Sequence, residues 1–195
     1  MASQGPRFTT VTATENTSFG SAAWLGFTLG NLTSSNNNHA RNNNVAAGAS
    51  TYYLVASTFG FSIPSGATID GIVVEWEFGY EYPGTTRTVN DSRVRIVKGG
   101  TIGSTDKSNG TNWPGIGLNP EVFVTYGGAS DLWGETWTYS DINASNFGAA
   151  ISAKNNSGVS ANILVDAVRI TVYYTAGSVS TSVTRQVMYY RRKRK

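Results

Sequence analysis

The sequence predicts an all-β protein, a two-sheet antiparallel β-sandwich of jelly-roll-like form, and three observations carry that reading. Charged residues make up 14% of the 195-residue chain and aromatic residues 12%, with Gly, Ser, Thr and Asn abundant, a balance that suits short strands joined by many turns. Several segments alternate apolar and polar residues with a period of two. Between them lie Gly, Pro and Asn clusters at the spacing of a many-stranded sandwich. At this length a single core is the default, and residues 1–175 are expected to build it. No internal repeat is visible, which argues against a propeller or solenoid.

The elements follow in chain order. A Thr-rich stretch at 8–12 reads as a first strand and residues 22–29 as a second. Residues 33–44 carry Ser and Asn side chains that bond their own backbone and offer nothing to bury. The Asn/Ser-rich region near 31–50 is therefore expected to be an exposed loop, with the single histidine, His39, on its surface. After residues 51–57 come turns punctuated by Pro64, Gly66 and Gly71.

The strongest signal is at 72–78, where Ile72, Val74, Trp76 and Phe78 share one face and Val73, Glu75 and Glu77 the other. Residues 92–98 alternate likewise, Val94 and Ile96 inward, Arg93 and Arg95 outward. Pairing of these two strands would set Arg93 and Arg95 against Glu75 and Glu77, at about 0.2–1 kcal/mol per pair. Further strands are expected at 121–126 and 135–139. Ser140 is expected to cap one helical turn, and Phe147, Ala149, Ile151 and Ala153 then alternate as a strand. The last strand, 162–175, places Leu164, Val168, Ile170, Val172 and Tyr174 on one face, with Asp166 intruding. Its other face holds Ile163, Val165, Ala167, Arg169, Thr171 and Tyr173, of which Ile163, Val165 and Tyr173 read as an exposed apolar row suited to a second copy of the chain.

Composition narrows the function. Without cysteine there is no disulfide framework and no thiolate metal site. One histidine is too few for a His-rich metal centre, and its place in an Asn-rich loop does not suit a catalytic triad. The acids are scattered, with no pair marked out for glycoside hydrolysis and no dense Asp-x-Asp series for calcium. The glycine-rich stretches at 99–103 and 127–128 lack a P-loop lysine. The reading is non-enzymatic, with no catalytic residue, no cofactor and no metal. No export signal opens the chain and no run reaches the roughly 20 apolar residues of a membrane span, so synthesis in the cytoplasm without a membrane partner is expected.

The net charge of +3 conceals an asymmetry. Residues 176–195 hold Arg185, Arg191, Arg192, Lys193, Arg194 and Lys195 and no acid, and without these six the body has nine cations against twelve acids, a net −3. Residues 176–195 are accordingly read as a basic tail that attaches the protein to a partner. Tyr189 and Tyr190 would anchor by burial, while Arg185 and residues 191–195 would meet carboxylates or, less favoured, the phosphates of nucleic acid. The tail also alternates well enough to add as a strand to a neighbouring sheet edge. Trp113 and Trp133 lie in turn-rich segments and are the candidate platform for stacking a sugar.

The stretches at 63–75, 94–100, 126–138, 141–148 and 168–175 resemble, in that order, tailed-bacteriophage virion structural proteins. The resemblance runs from about residue 63 to residue 175 and leaves out the first 50 residues and the tail. It implies a virion β-sandwich that cements or decorates the capsid, or builds a fibre, with capsid or other virion proteins as partners. Such proteins are usually homotrimers, made in the host cytoplasm and carried in the virion, and the resemblance supplies no catalytic residue. Two alternatives stay open: a carbohydrate-binding host-adhesion module using Trp113 or Trp133, and a single-jelly-roll capsid protein whose tail contacts the genome.

Overall fold

The computed structural model describes residues 1–81, 84–110, 112–116 and 120–177. Its strands are β1 (Ala2–Phe8), β2 (Thr14–Asn16), β3 (Ala40–Val45), β4 (Tyr53–Ser57), β5 (Thr68–Glu81) and β6 (Val89–Lys98), then β7 (Thr101–Ile102), β8 (Gly115–Ile116), β9 (Val122–Gly128), β10 (Gly148–Asn155) and β11 (Ala161–Thr175). A 3-10 helix spans Gly26–Thr33 and a short helix, α1, spans Tyr139–Asn143. One sheet runs β1-β11-β5, with β3 also on β11 and β8 and β9 both on β5; the other runs β2-β4-β10-β6-β7. Every pairing between these strands is antiparallel except β5 with β8.

The two sheets pack face to face as a β-sandwich because each turns an apolar row inward. Ile72, Val74, Trp76 and Phe78 of β5, with Val168, Ile170 and Val172 of β11, meet Val94 and Ile96 of β6 and Ala149, Ile151 and Ala153 of β10 in one core. Phe147 sits among Phe59, Phe61 and Trp137, its ring 5.4 Å from Trp137 and nearly perpendicular to it. Edge-to-face rings of this kind add roughly 0.5–1.5 kcal/mol beyond burial.

The structure departs from the expected elements in several places. β6 does not lie beside β5: it pairs with β10 and β7 in the other sheet, because β11 and β9 already occupy the two edges of β5. Arg93 and Arg95 therefore never meet Glu75 and Glu77. The first strand occupies Ala2–Phe8 rather than 8–12. Residues 22–29 do not form a strand, because the chain there crosses from the sheet of β2 to the sheet of β3, and the 3-10 helix spans the crossing with Leu29 and Leu32 in the core.

The Asn-rich region is only partly an exposed loop. Residues 34–38 are largely exposed, but β3 pairs along β11 and buries Ala40, Asn42 and Val45. Pairing to an edge that is already formed overrides the poor strand propensity of Asn. No strand forms at 135–139. Thr138, not Ser140, caps α1: its hydroxyl accepts the Asp141 amide at 3.2 Å while the Asp141 carboxylate accepts the Thr138 amide at 2.8 Å, a reciprocal capping box.

Candidate functional site

The site begins with a one-residue irregularity in β11. Val165 faces Phe78 and Ala167 faces Glu77, so Asp166 is an extra residue, a bulge that resets the alternation. Before the bulge Ile163 and Val165 point into the core; after it Val168, Ile170 and Val172 do. The row Ile163, Val165 and Tyr173 is therefore not an exposed face. Ile163 and Val165 are fully buried core residues, and only Tyr173, beyond the bulge on the outer side, keeps partial exposure.

Asp166 itself is buried and gathers the strap at 34–38. Its carboxylate accepts the backbone amides of Asn36 at 2.9 Å, Asn37 at 3.1 Å and Asn38 at 3.0 Å. Beside it on β5, Glu77 is 8% exposed. The strap continues to His39, whose Nε2 lies 2.8 Å from Glu121 Oε1, the two side chains being 11% and 5% exposed. His39 is thus a partnered, largely buried residue and not a surface one. The strap crosses the outer side of the sheet from the bulge in β11 to the residue before β9.

Three carboxylates, Glu77, Glu121 and Asp166, converge under this strap. Burial pushes the Glu77 carboxyl above the ordinary glutamate range; the Ser35 hydroxyl opposes this, and the Asp166 and Glu121 charges add to it. Oε2 of Glu77 and Oε2 of Glu121 are buried and receive no donor among the described residues. A protonated Glu77 resolves its own orphan, because the carboxyl can then donate to Asp166. Among the described residues no three His, Asp or Glu side chains are arranged to hold a metal ion. The arrangement suits a shared proton.

The candidate sugar platform does not survive folding. Trp113 is 3% exposed and stacks on Phe78 with ring centroids 4.0 Å apart and planes 9° from parallel. Trp133 is 0% exposed and donates its indole N–H to the Ile72 carbonyl at 2.9 Å. Both offer their faces to the core, because the turns that carry them fold back over β5. The tail residues Arg185, Tyr189, Tyr190, Arg191, Arg192, Lys193, Arg194 and Lys195 lie outside the described residues.

A second surface lies on the outer side of the sheet of β6. There Tyr53, Val97 and Ala150 are buried beneath Phe19, Val55 and Ile102, with the Arg93 guanidinium 4.7 Å above the Phe19 ring and 3.2 Å from Asp106. Burial raises the Tyr53 pKa, with the Arg95 charge acting against it. Sequence alternation anticipated the outward arginines but not their aromatic neighbour, which comes from a distant loop. The carboxylate cluster was not foreseen either; its one visible signal was Asp166 interrupting an apolar strand. Among the described residues no helix is long and apolar enough to cross a membrane. No protein-family model, no curated protein and no solved structure matches the chain.

Proposed function

We propose that this protein is a non-enzymatic structural component of a bacteriophage virion, decorating or cementing the capsid or building a fibre, with the sandwich as rigid spacer and the basic tail as attachment segment. Strand order supports the proposal. With β2, β3 and β8 set aside and the two-residue β7 kept, eight strands remain, and the first pairs with the last, the second with the seventh, the third with the sixth and the fourth with the fifth. This nesting supports a jelly roll, a double-sheet form that occurs in viral capsid and lectin domains. Fold alone serves many functions, so the weight falls on how the body uses its charge.

The observation that carries the reading is that the carboxylates are engaged in architecture. Glu15, Asp91, Asp106, Asp131, Asp141 and Asp166 each accept a backbone amide, tying down loops or strand ends. Glu75, Glu81 and Glu121 pair with Arg169, Arg41 and His39. Bonds of this charged kind contribute roughly 1.5–3 kcal/mol each where they are shielded from water. A body stiffened in this way suits a spacer, while the six cations of residues 176–195 have no acid in their own segment and suit an acidic partner. The burial of Trp113 and Trp133 weighs against the lectin alternative.

The test compares the full chain with a version lacking residues 186–195. The truncated protein is expected to keep its melting temperature and its oligomeric state, a trimer by light scattering, and to fail to join particles. Full incorporation of the truncated chain, or a stable monomer at micromolar concentration that binds no capsid, would overturn the proposal. Binding of the intact tail to nucleic acid with a steep salt slope would favour the shell-protein alternative.

A further inference from the structure

We propose that residues 34–39 form a pH-gated latch, held against the sheet of β5 and β11 by a proton shared between Glu77 and Asp166 and released when that proton is lost. The geometry assigns the roles. Asp166 is fixed as the acceptor, because three strap amides already point at it. Glu77 is assigned as the donor, because it is nine-tenths buried, lies opposite Ala167 next to Asp166, and has one oxygen that no donor reaches among the described residues. Two carboxylates at hydrogen-bonding range attract only while one of them is protonated. Once both ionise they repel, and the strap amides, which can reach water, are the cheapest contact to give up.

The charged groups facing Glu77 set the direction. From β11 come Asp166 and, one row along, Arg169, whose guanidinium is held by Glu75 of β5 with two bonds of 2.9 Å. From the segment before β9 comes Glu121, and from the strap come Ser35 and His39, the latter against Glu121. Glu77 thus faces two acids and one committed cation. Its folded-state pKa is raised, so the stabilisation is complete at pH values below the ordinary glutamate pKa and is lost as pH rises through the higher folded value. The latch closes in acid and loosens toward alkaline pH.

Hydrogen exchange of the Asn36, Asn37 and Asn38 amides, corrected for intrinsic rates, reads the latch directly. In the intact chain their protection is expected to fall roughly tenfold for each unit by which the folded Glu77 pKa exceeds its unfolded value, while amides in the middle of β5 and β11 hold theirs. Glu77→Gln, neutral at every pH and able to donate to Asp166, should keep the strap protected throughout. Asp166→Asn should leave it unprotected even in acid. Strap protection that does not vary with pH in the intact chain, or that varies equally in Glu77→Gln, would overturn the proposal. A carbon-detected NMR titration of the intact chain needs no variant: a Glu77 midpoint above the ordinary glutamate range supports the latch, and a midpoint within it refutes it.

Discussion

Trp133 adopts a backbone φ of +58°, unusual for a bulky residue, and its conformation is held from three sides. Its indole donates to Ile72, its amide donates to the Asp131 carboxylate at 2.8 Å, and the Lys107 ammonium lies 5.9 Å from its ring centre. Trp133→Ala is expected to cost about 3–5 kcal/mol, seen as a lower urea midpoint with an unchanged slope. Gly127 packs against the same indole at φ +77°, and an added methyl group would meet the Ile72 carbonyl and the ring. Gly127→Ala should therefore cost more than about 1 kcal/mol in the same assay. Burial alone would raise the Asp131 pKa, but the hydrogen bonds from Lys107 and the Trp133 amide outweigh it and hold the carboxyl below its ordinary value. With the folded pKa depressed, the stabilisation is present above the ordinary aspartate value and disappears as pH falls through the folded one. Asp131→Asn should accordingly melt below the natural protein at pH 7, with the gap closing as the pH falls through the folded Asp131 value, in thermal melts across the acid range.

At the scale of elements, one side chain staples three strands. Arg169 on β11 grips Glu75 on β5 with two 2.9 Å bonds and lays its guanidinium 3.8 Å from the centre of the Phe123 ring on β9. The bond to Glu75 raises the Arg169 pKa further. Lysine keeps the charge but loses the fork and the flat stack, so Arg169→Lys should cost about 1 kcal/mol. A double-mutant cycle with Glu75→Gln should assign most of that cost to the pair. The outward placement of Glu75 and Arg169 was legible in sequence, because each lies on a regularly alternating stretch. Their pairing was not, since it depends on the register of strands 94 residues apart.

For the whole molecule, the bulge at Asp166 decides which surface is left for a partner. Ile163 and Val165 belong to the core, so Ile163→Ala is expected to lower stability by about 2–5 kcal/mol while leaving the oligomeric state of the intact chain unchanged. A shift in oligomeric state with unchanged stability would instead return those residues to an interface. The outer side of the same sheet carries Arg169, Glu75, Thr171 and Tyr173 with intermediate exposure, crossed at one end by the strap.

Local pattern determined the fold class and the inward rows of β5, β6 and β10, because alternation with a period of two is written in neighbouring residues and every inward residue named from it in these strands is buried. The charge split between body and tail was likewise a matter of counting. Only the tertiary structure decided which strands pair, that the asparagines of β3 join a sheet, that Trp113 and Trp133 face the core, and that Glu77, Glu121 and Asp166 meet under one strap. These outcomes rest on contacts between residues far apart in the chain, and a single inserted residue such as Asp166 reverses the parity of all that follows it. No count along the strand reveals that reversal until the partner strand is in place.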